Sequence, residues 1–208
     1  MATPPRPTRL RRVLVPGALA LSALAASCGA APPPTTVPAA PAPAGPAVVR
    51  PITFPVSGTV TYIDSYGAPR SGGRTHAGQD LMGPKGTPLV AAVDGVVTRV
   101  RHDTGGVSGN SLTIKGDDGW TYIYIHLNND SPGTDDAANR YDQAFAPGIV
   151  ANVRVTAGQH VGYMGDSGNA EDAGSHLHFE IQQPDGTGVN PYPSLRAASA
   201  APHVPRSW

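Results

Sequence analysis

Acidic residues are missing from the first 63 residues of the chain. None precedes Asp64, whereas Arg6, Arg9, Arg11, Arg12 and Arg50 all do. Charge is scarce overall, at 14% of residues, and aromatic side chains make up only 6%. A single cysteine, Cys28, excludes an internal disulfide framework. No apolar run reaches the ~20 residues that a transmembrane helix needs. Nor is there an excess of positive charge: formal net charge is zero, and beyond Cys28 11 basic residues face 15 acidic ones. That balance argues against nucleic acid as a partner. Glycine and proline are plentiful instead, with 25 and 23 residues among 208. Both are poor helix formers, so a helical bundle or coiled coil is excluded.

Four arginines within residues 1–12 precede an apolar stretch from Val13 to Ala26. As a helix its fourteen residues span roughly 21 Å, short of a ~30 Å hydrocarbon core. A charged start, a short apolar centre and small residues after it predict an export signal over residues 1–27. Cys28 follows Ala25-Ala26-Ser27, which is similar to a lipobox with Ala25 in place of the usual Leu. Two outcomes stay open: a lipid-anchored lipoprotein, or ordinary signal cleavage with a stray thiol. Both make the protein extracytoplasmic, with the membrane as partner only through a Cys28 anchor. Residues 28–51 contain eight prolines and form a Pro/Ala-rich linker. Such chain extends by ~3.1 Å per residue, so it reaches roughly 70 Å.

From 52 to 195 the chain alternates short β-branched runs with glycine turns. The runs are Thr59–Ile63, Leu89–Val93, Val96–Val100, Ser111–Lys115, Thr121–Leu127, His160–Met164 and Leu177–Ile181. No stretch reads as an amphipathic helix. The pattern predicts an all-β domain of antiparallel sheets or a sandwich, with a flexible tail over 196–208. Asn128 to Val150 is a long irregular segment, and loops of that length are usually functional or mobile.

Histidine carries the chemistry. His76 and Asp80 stand four apart, with Gly78 between them favouring a turn over a helix. In Ser175-His176-Leu177-His178-Phe179-Glu180, strand alternation puts His176 and His178 on one face and Leu177 and Phe179 in the core. In Tyr122-Ile123-Tyr124-Ile125-His126-Leu127, the same alternation groups His126 with the two tyrosines. Each cluster alone also has an ordinary structural reading. Together they offer a His/Asp/His ligand set with two further imidazoles, the form of a catalytic zinc site with an open position.

HAGQD, YIHL and HLHFE resemble the H-x-x-x-D, Y-x-H-L and H-L-H-F-E motifs of lysostaphin/LytM-type zinc metalloendopeptidases, which cut peptide cross-links in peptidoglycan. The likeness runs from about Pro55 to Pro193. It implies a LytM-like duplicated-hybrid-motif fold, a β-rich groove with few helices. It also implies Zn2+ held by His76, Asp80 and His178, with His176 as general base and His126 as the second catalytic histidine. Two segments depart from simple members: Asn128–Ala157 is longer, and Glu171 and Asp172 stand close before the HLH strand. Some proteins of this fold are non-catalytic wall-binding or amidase-activating modules that typically lose ligands, and this is the alternative reading. A lipoyl-like carrier would share the Val90–Val97 hairpin pattern but lacks a lysine at that turn. His102, His160 and His203 are expected to be exposed bystanders. There is no phosphate loop and no G-x-S-x-G elbow.

Overall fold

The structure, a computed structural model, describes residues 47–200. The expected export signal, Cys28, most of the linker and residues 201–208 lie outside the described residues. Nine strands occur in the order β1 (Gln79–Met82), β2 (Pro88–Val90), β3 (Gly95–Arg101), β4 (Asn110–Gly116), β5 (Thr121–Leu127), β6 (Arg154–Val155), β7 (His160–Tyr163), β8 (His176–Gln182) and β9 (Gly188–Val189). A short helix α1 (Tyr141–Ala144) lies between β5 and β6, and α2 (Tyr192–Ala200) follows β9. The large sheet runs β1-β8-β5-β4-β3-β6, with β9 also on β8, and every pairing is antiparallel. β2 and β7 make a second, two-stranded sheet.

Alternation sets the core. Leu177, Phe179 and Ile181 of β8 are fully buried, as are Tyr122 and Tyr124 of β5 and Leu112 and Ile114 of β4. Burying side chains of this size contributes about 1.5–3 kcal/mol each. Tyr124 also links the two sheets: its hydroxyl donates to Val90 O at 3.1 Å and accepts from Ala92 N at 2.7 Å, so no polar atom is stranded.

Four expectations change. Thr59–Ile63 is not a strand; Thr61 alone bridges to Met82. Thr61 and Met82 exchange two backbone hydrogen bonds, each 3.0 Å long. Gln79 and Asp80, read as part of a turn, open β1 and pair with Phe179 and His178. The helix α2 crosses the boundary drawn at 195; its first backbone N–H, on Tyr192, donates to the Asn190 side chain at 2.9 Å, and Leu195 is fully buried. At the other end, the linker residue Arg50 already belongs to the domain. It bonds Asp118 at 3.0 Å, lies 4.5 Å above the Trp120 ring, and its N–H donates to Ser194 Oγ.

Candidate metal centre

β1 and β8 bring the first three residues together. Their register sets Asp80 opposite His178, and the turn into β1 swings His76 alongside. That turn needs glycine. A Cβ on Gly78 would lie 2.5 Å from Phe179 O and 2.7 Å from His178 Nε2. The result is a tight triangle: His76 Nε2 to Asp80 Oδ1 is 2.9 Å, His178 Nδ1 to Asp80 Oδ1 is 2.9 Å, and His76 Nε2 to His178 Nδ1 is 3.0 Å.

The outward nitrogens decide what the triangle can hold. His76 Nδ1 lies 2.8 Å from Ser65 O, and His178 Nε2 lies 3.1 Å from Glu180 Oε1. Both partners are acceptors, so both imidazoles donate outward, and their inward nitrogens are bare when neutral. Three lone pairs then converge within hydrogen-bond distance. Such an arrangement requires a cation between them, a proton or a metal ion. With protons alone, burial would raise the Asp80 carboxyl, yet the hydrogen bonds from His178 and His76 hold it well below the usual carboxylate range. For His178, burial works downward but Asp80 and Glu180 raise it above an ordinary histidine. The donor set, two imidazoles and one carboxylate, fits a borderline metal such as zinc. Asp80 Oδ2 is occupied by Arg70, which leaves Oδ1 as the inward ligand atom.

The two remaining histidines flank this triangle. His176 Nδ1 donates to Gly174 O at 2.8 Å, and its Nε2 stands 3.8 Å from Asp80 Oδ1. His126 Nδ1 donates to Ser167 O at 2.8 Å, and its ring centroid is 4.9 Å from that of His176. Each therefore leaves Nε2 as the ring nitrogen not bound to a backbone carbonyl. Burial, and then the neighbouring His176, push the His126 imidazole down to about 4.

The face expected for His126 is corrected by the structure. The β4–β5 register passes from Asn110↔Leu127 to Ser111↔Ile125, so His126 is an extra residue, a β-bulge, and its φ is 65°. The bulge rotates the imidazole away from Tyr122 and Tyr124 and onto the face of His176 and His178, while Leu127 takes the fully buried position. A left-handed φ costs a non-glycine residue roughly 1–2 kcal/mol. Three hydrogen bonds hold it: His126 N to Ser108 O, Gly165 N to His126 O, and Nδ1 to Ser167 O.

Several supporting groups have no signature in the sequence. Ser65, Gly174 and Ser167 act through backbone carbonyls. Gln79, 1% exposed, fixes the Ser65 segment by donating to Ile63 O at 2.5 Å and to Ser65 Oγ at 3.2 Å. Glu180 stands at the end of HLHFE, and its role emerges only from its distance to His178. Of the expected bystanders, His102 is exposed and donates from Nε2 to Asn139 O, His160 is half-buried beside Gly162 O, and His203 lies outside the described residues.

An antiparallel β groove with this histidine arrangement defines the class as a metallopeptidase fold. The chain belongs to peptidase family M23, whose family model matches residues 74–191. It is 33% identical over 118 residues to the DD-carboxypeptidase/endopeptidase Mpg of Neisseria meningitidis serogroup B, covering 57% of this chain and 22% of that protein. It is 32% identical over 138 residues to the murein hydrolase activator NlpD of Salmonella typhimurium, covering 66% of this chain and 29% of the relative. The match thus spans less than a third of these relatives. Among solved structures, a Ruminococcus gnavus protein named for the glycyl-glycine endopeptidase LytM aligns with TM-score 0.54 and 28% identity, covering 71% of this chain and 60% of that one. The catalytic domain of lysostaphin from Staphylococcus simulans aligns with TM-score 0.51 over 66% of this chain and 92% of that one; at 24% identity it speaks to the fold alone.

Proposed function

We propose that this chain is a zinc metalloendopeptidase that hydrolyses peptide cross-links of bacterial peptidoglycan. One observation carries the reading: all five polar groups of the family motifs are retained and meet in one groove, with the outward nitrogen of every imidazole already engaged. His76, Asp80 and His178 would hold the metal. When bound, zinc supplies a Lewis acid that lowers the pKa of water towards neutrality and polarises a carbonyl.

His176 and His126 handle the protons. With Nδ1–H fixed on a backbone carbonyl, each ring keeps Nε2 for the reaction. His176, the nearer to the ligand oxygen of Asp80, takes the proton of the attacking water and returns it to the leaving amine. His126 is neutral near pH 7, so donating from Nε2 to a developing oxyanion requires a proton drawn from solvent, separate from the one that His176 carries to the leaving amine.

A second reading, an activating module without its own hydrolysis, draws on the relative named a murein hydrolase activator. The two are separated by incubating the full chain with purified cross-linked muropeptides and analysing the products by mass spectrometry. Zinc-dependent cleavage of a cross-link supports the enzyme. Intact muropeptides in the presence of stoichiometric zinc, with stimulation of an added amidase, refute it.

The site of action follows from the same proposal. Export through residues 1–27 and lipidation of Cys28 would put the domain outside the cytoplasm, with the Pro-rich segment as spacer to the wall. Among the described residues no helix is long and apolar enough to cross a membrane.

A further inference from the structure

The two oxygens of Asp80 have different partners. Oδ1 faces His76 and His178, while Oδ2 accepts from Arg70 Nη2 at 2.5 Å. Among the described residues, Arg70 is the one hydrogen-bond partner of Oδ2. The carboxylate is thus divided: one oxygen is turned to the triangle, the other is held by a guanidinium.

That guanidinium is built into the same hairpin that delivers a ligand. Gly67 N donates to His76 O at 2.8 Å, His76 N to Ala68 O at 2.8 Å, and Arg70 N to Arg74 O at 2.9 Å. Pro69 bridges to Thr75, and a short turn over Ser71–Gly73 closes the tip. One leg carries His76 and the other Arg70, so ligand and guanidinium reach Asp80 from one hydrogen-bonded piece. Arg74, the second arginine of the hairpin, serves the turn instead: it donates to Ser71 O at 3.2 Å and to Ser71 Oγ at 3.3 Å.

Two effects of Arg70 on a bound cation oppose each other. Its charge repels the ion, whereas its hydrogen bond fixes the direction of the carboxylate. The Arg70 side chain is 39% exposed, so water screens the repulsion, and a pair this exposed adds little to stability. Direction is what remains. Outer hydrogen-bond partners of ligating carboxylates typically matter about 10–100-fold in metal affinity.

We infer that Arg70 is a positioning residue that keeps Asp80 a one-oxygen ligand. An unrestrained carboxylate can turn both oxygens to one ion. With Oδ2 on Arg70 only Oδ1 is offered, and a position on the ion stays open, as a catalytic zinc site requires. The inference rests on the metal reading proposed above.

Three variants of the full chain test it. Arg70→Met removes the donor, Arg70→Lys keeps a donor and the charge, and Arg74→Met removes an equal charge from the same hairpin. Zinc affinity is read by chelator competition. Ligand geometry is read from visible absorption with cobalt(II) in place of zinc, whose bands are strongest for a tetrahedral ion and weaken as further ligands join. Arg70→Met should bind zinc about 10–100-fold more weakly and show weakened cobalt bands. Its Tm in chelator should stay within about 3 °C of wild type. Arg70→Lys should recover part of both losses, because the native contact is one nitrogen on one oxygen. Arg74→Met should match wild type in both readouts. The inference is overturned by wild-type zinc affinity or unaltered cobalt bands in Arg70→Met, by no recovery in Arg70→Lys, or by equal losses in Arg74→Met. A wild-type chain that takes up no zinc overturns the metal reading and this inference together, whereas the other outcomes overturn this inference alone.

Discussion

Replacing Gly78 by alanine tests whether the approach of β1 to β8 builds the metal triangle. The added Cβ would lie 2.5 Å from Phe179 O, and ordinary contact begins near 3.4 Å, so the two segments must part by about 0.9 Å. His76 and Asp80 are on one segment and His178 on the other, and a metal site tolerates distance errors of only about 0.2 Å. The same Cβ crowds His178 Nε2 at 2.7 Å and Glu180 Cγ at 3.0 Å, disturbing the bond that orients the ring. Loss of such outer support typically lowers metal affinity 10–100-fold. Overpacking costs about 1–3 kcal/mol, offset in part by the ~0.4–1 kcal/mol that alanine removes from unfolded-chain entropy. The net effect is a Tm lower by roughly 2–8 °C in chelator. Gly86→Ala is the control: its φ is +80° with nothing within 4 Å of a Cβ, so it strains the backbone without touching the triangle. Zinc affinity by chelator competition and Tm by calorimetry should separate the pair, Gly86→Ala losing stability only. A Gly78→Ala protein with wild-type zinc affinity and a Tm within about 1 °C of wild type would refute the reasoning.

Four further outcomes are expected. His178→Ala removes one of three ligands and should leave the purified protein without stoichiometric zinc in elemental analysis; retained metal would reassign the ligand. His176→Ala and His126→Ala should keep zinc and lose about 10²–10³-fold or more in muropeptide cleavage, and wild-type turnover in either would remove its proposed role. Tyr122→Phe deletes the hydroxyl that donates to Asp118 at 2.6 Å and should cost about 1.5–3 kcal/mol in urea unfolding at pH 7. Although burial raises the Asp118 carboxyl, Tyr122, Trp120 and Arg50 lower it below its unfolded value, so its contribution is complete above about pH 3.9 and fades in stronger acid, and the gap between wild type and Tyr122→Phe should close there. Cys28→Ala should leave the membrane fraction or accumulate unprocessed, and membrane fractionation identical to wild type after the same cleavage would favour plain secretion.

Regular alternation was legible in the sequence, and departures from it were not. Thr121–Leu127 matches β5 end to end, and Leu177–Ile181 lies within β8, because Thr121–Ile125 and Leu177–Ile181 keep a period of two beside a single core. The residues of the triangle were found by their chemistry, but the geometry that joins them was only half visible. HAGQD looked like a turn because of Gly78, and the strand begins one residue later, where β8 supplies the partner. Counting by twos put His126 on the wrong face, since nothing about a histidine announces a positive φ; only the register of β4 reveals the extra residue. The carbonyls of Ser65, Ser167 and Gly174 carry no side-chain identity at all. The helix α2 was missed although an Asn190 cap and an alanine-rich stretch were present, because tertiary contact at Leu195 decides whether so short a helix persists.

The bulge at His126 couples correctness of pairing to competence. Were β5 to align on β4 without the extra residue, the imidazole would enter the hydrophobic interior and Leu127 would face the solvent-lined cleft. That single misalignment would bury an unmatched polar ring, forfeit a fully enclosed leucine and empty the groove of one histidine, all at once. A chain folded in that register would therefore be both unstable and inert. Mispaired molecules would tend to reopen rather than accumulate as durable impostors, so an error in the ladder would be self-clearing.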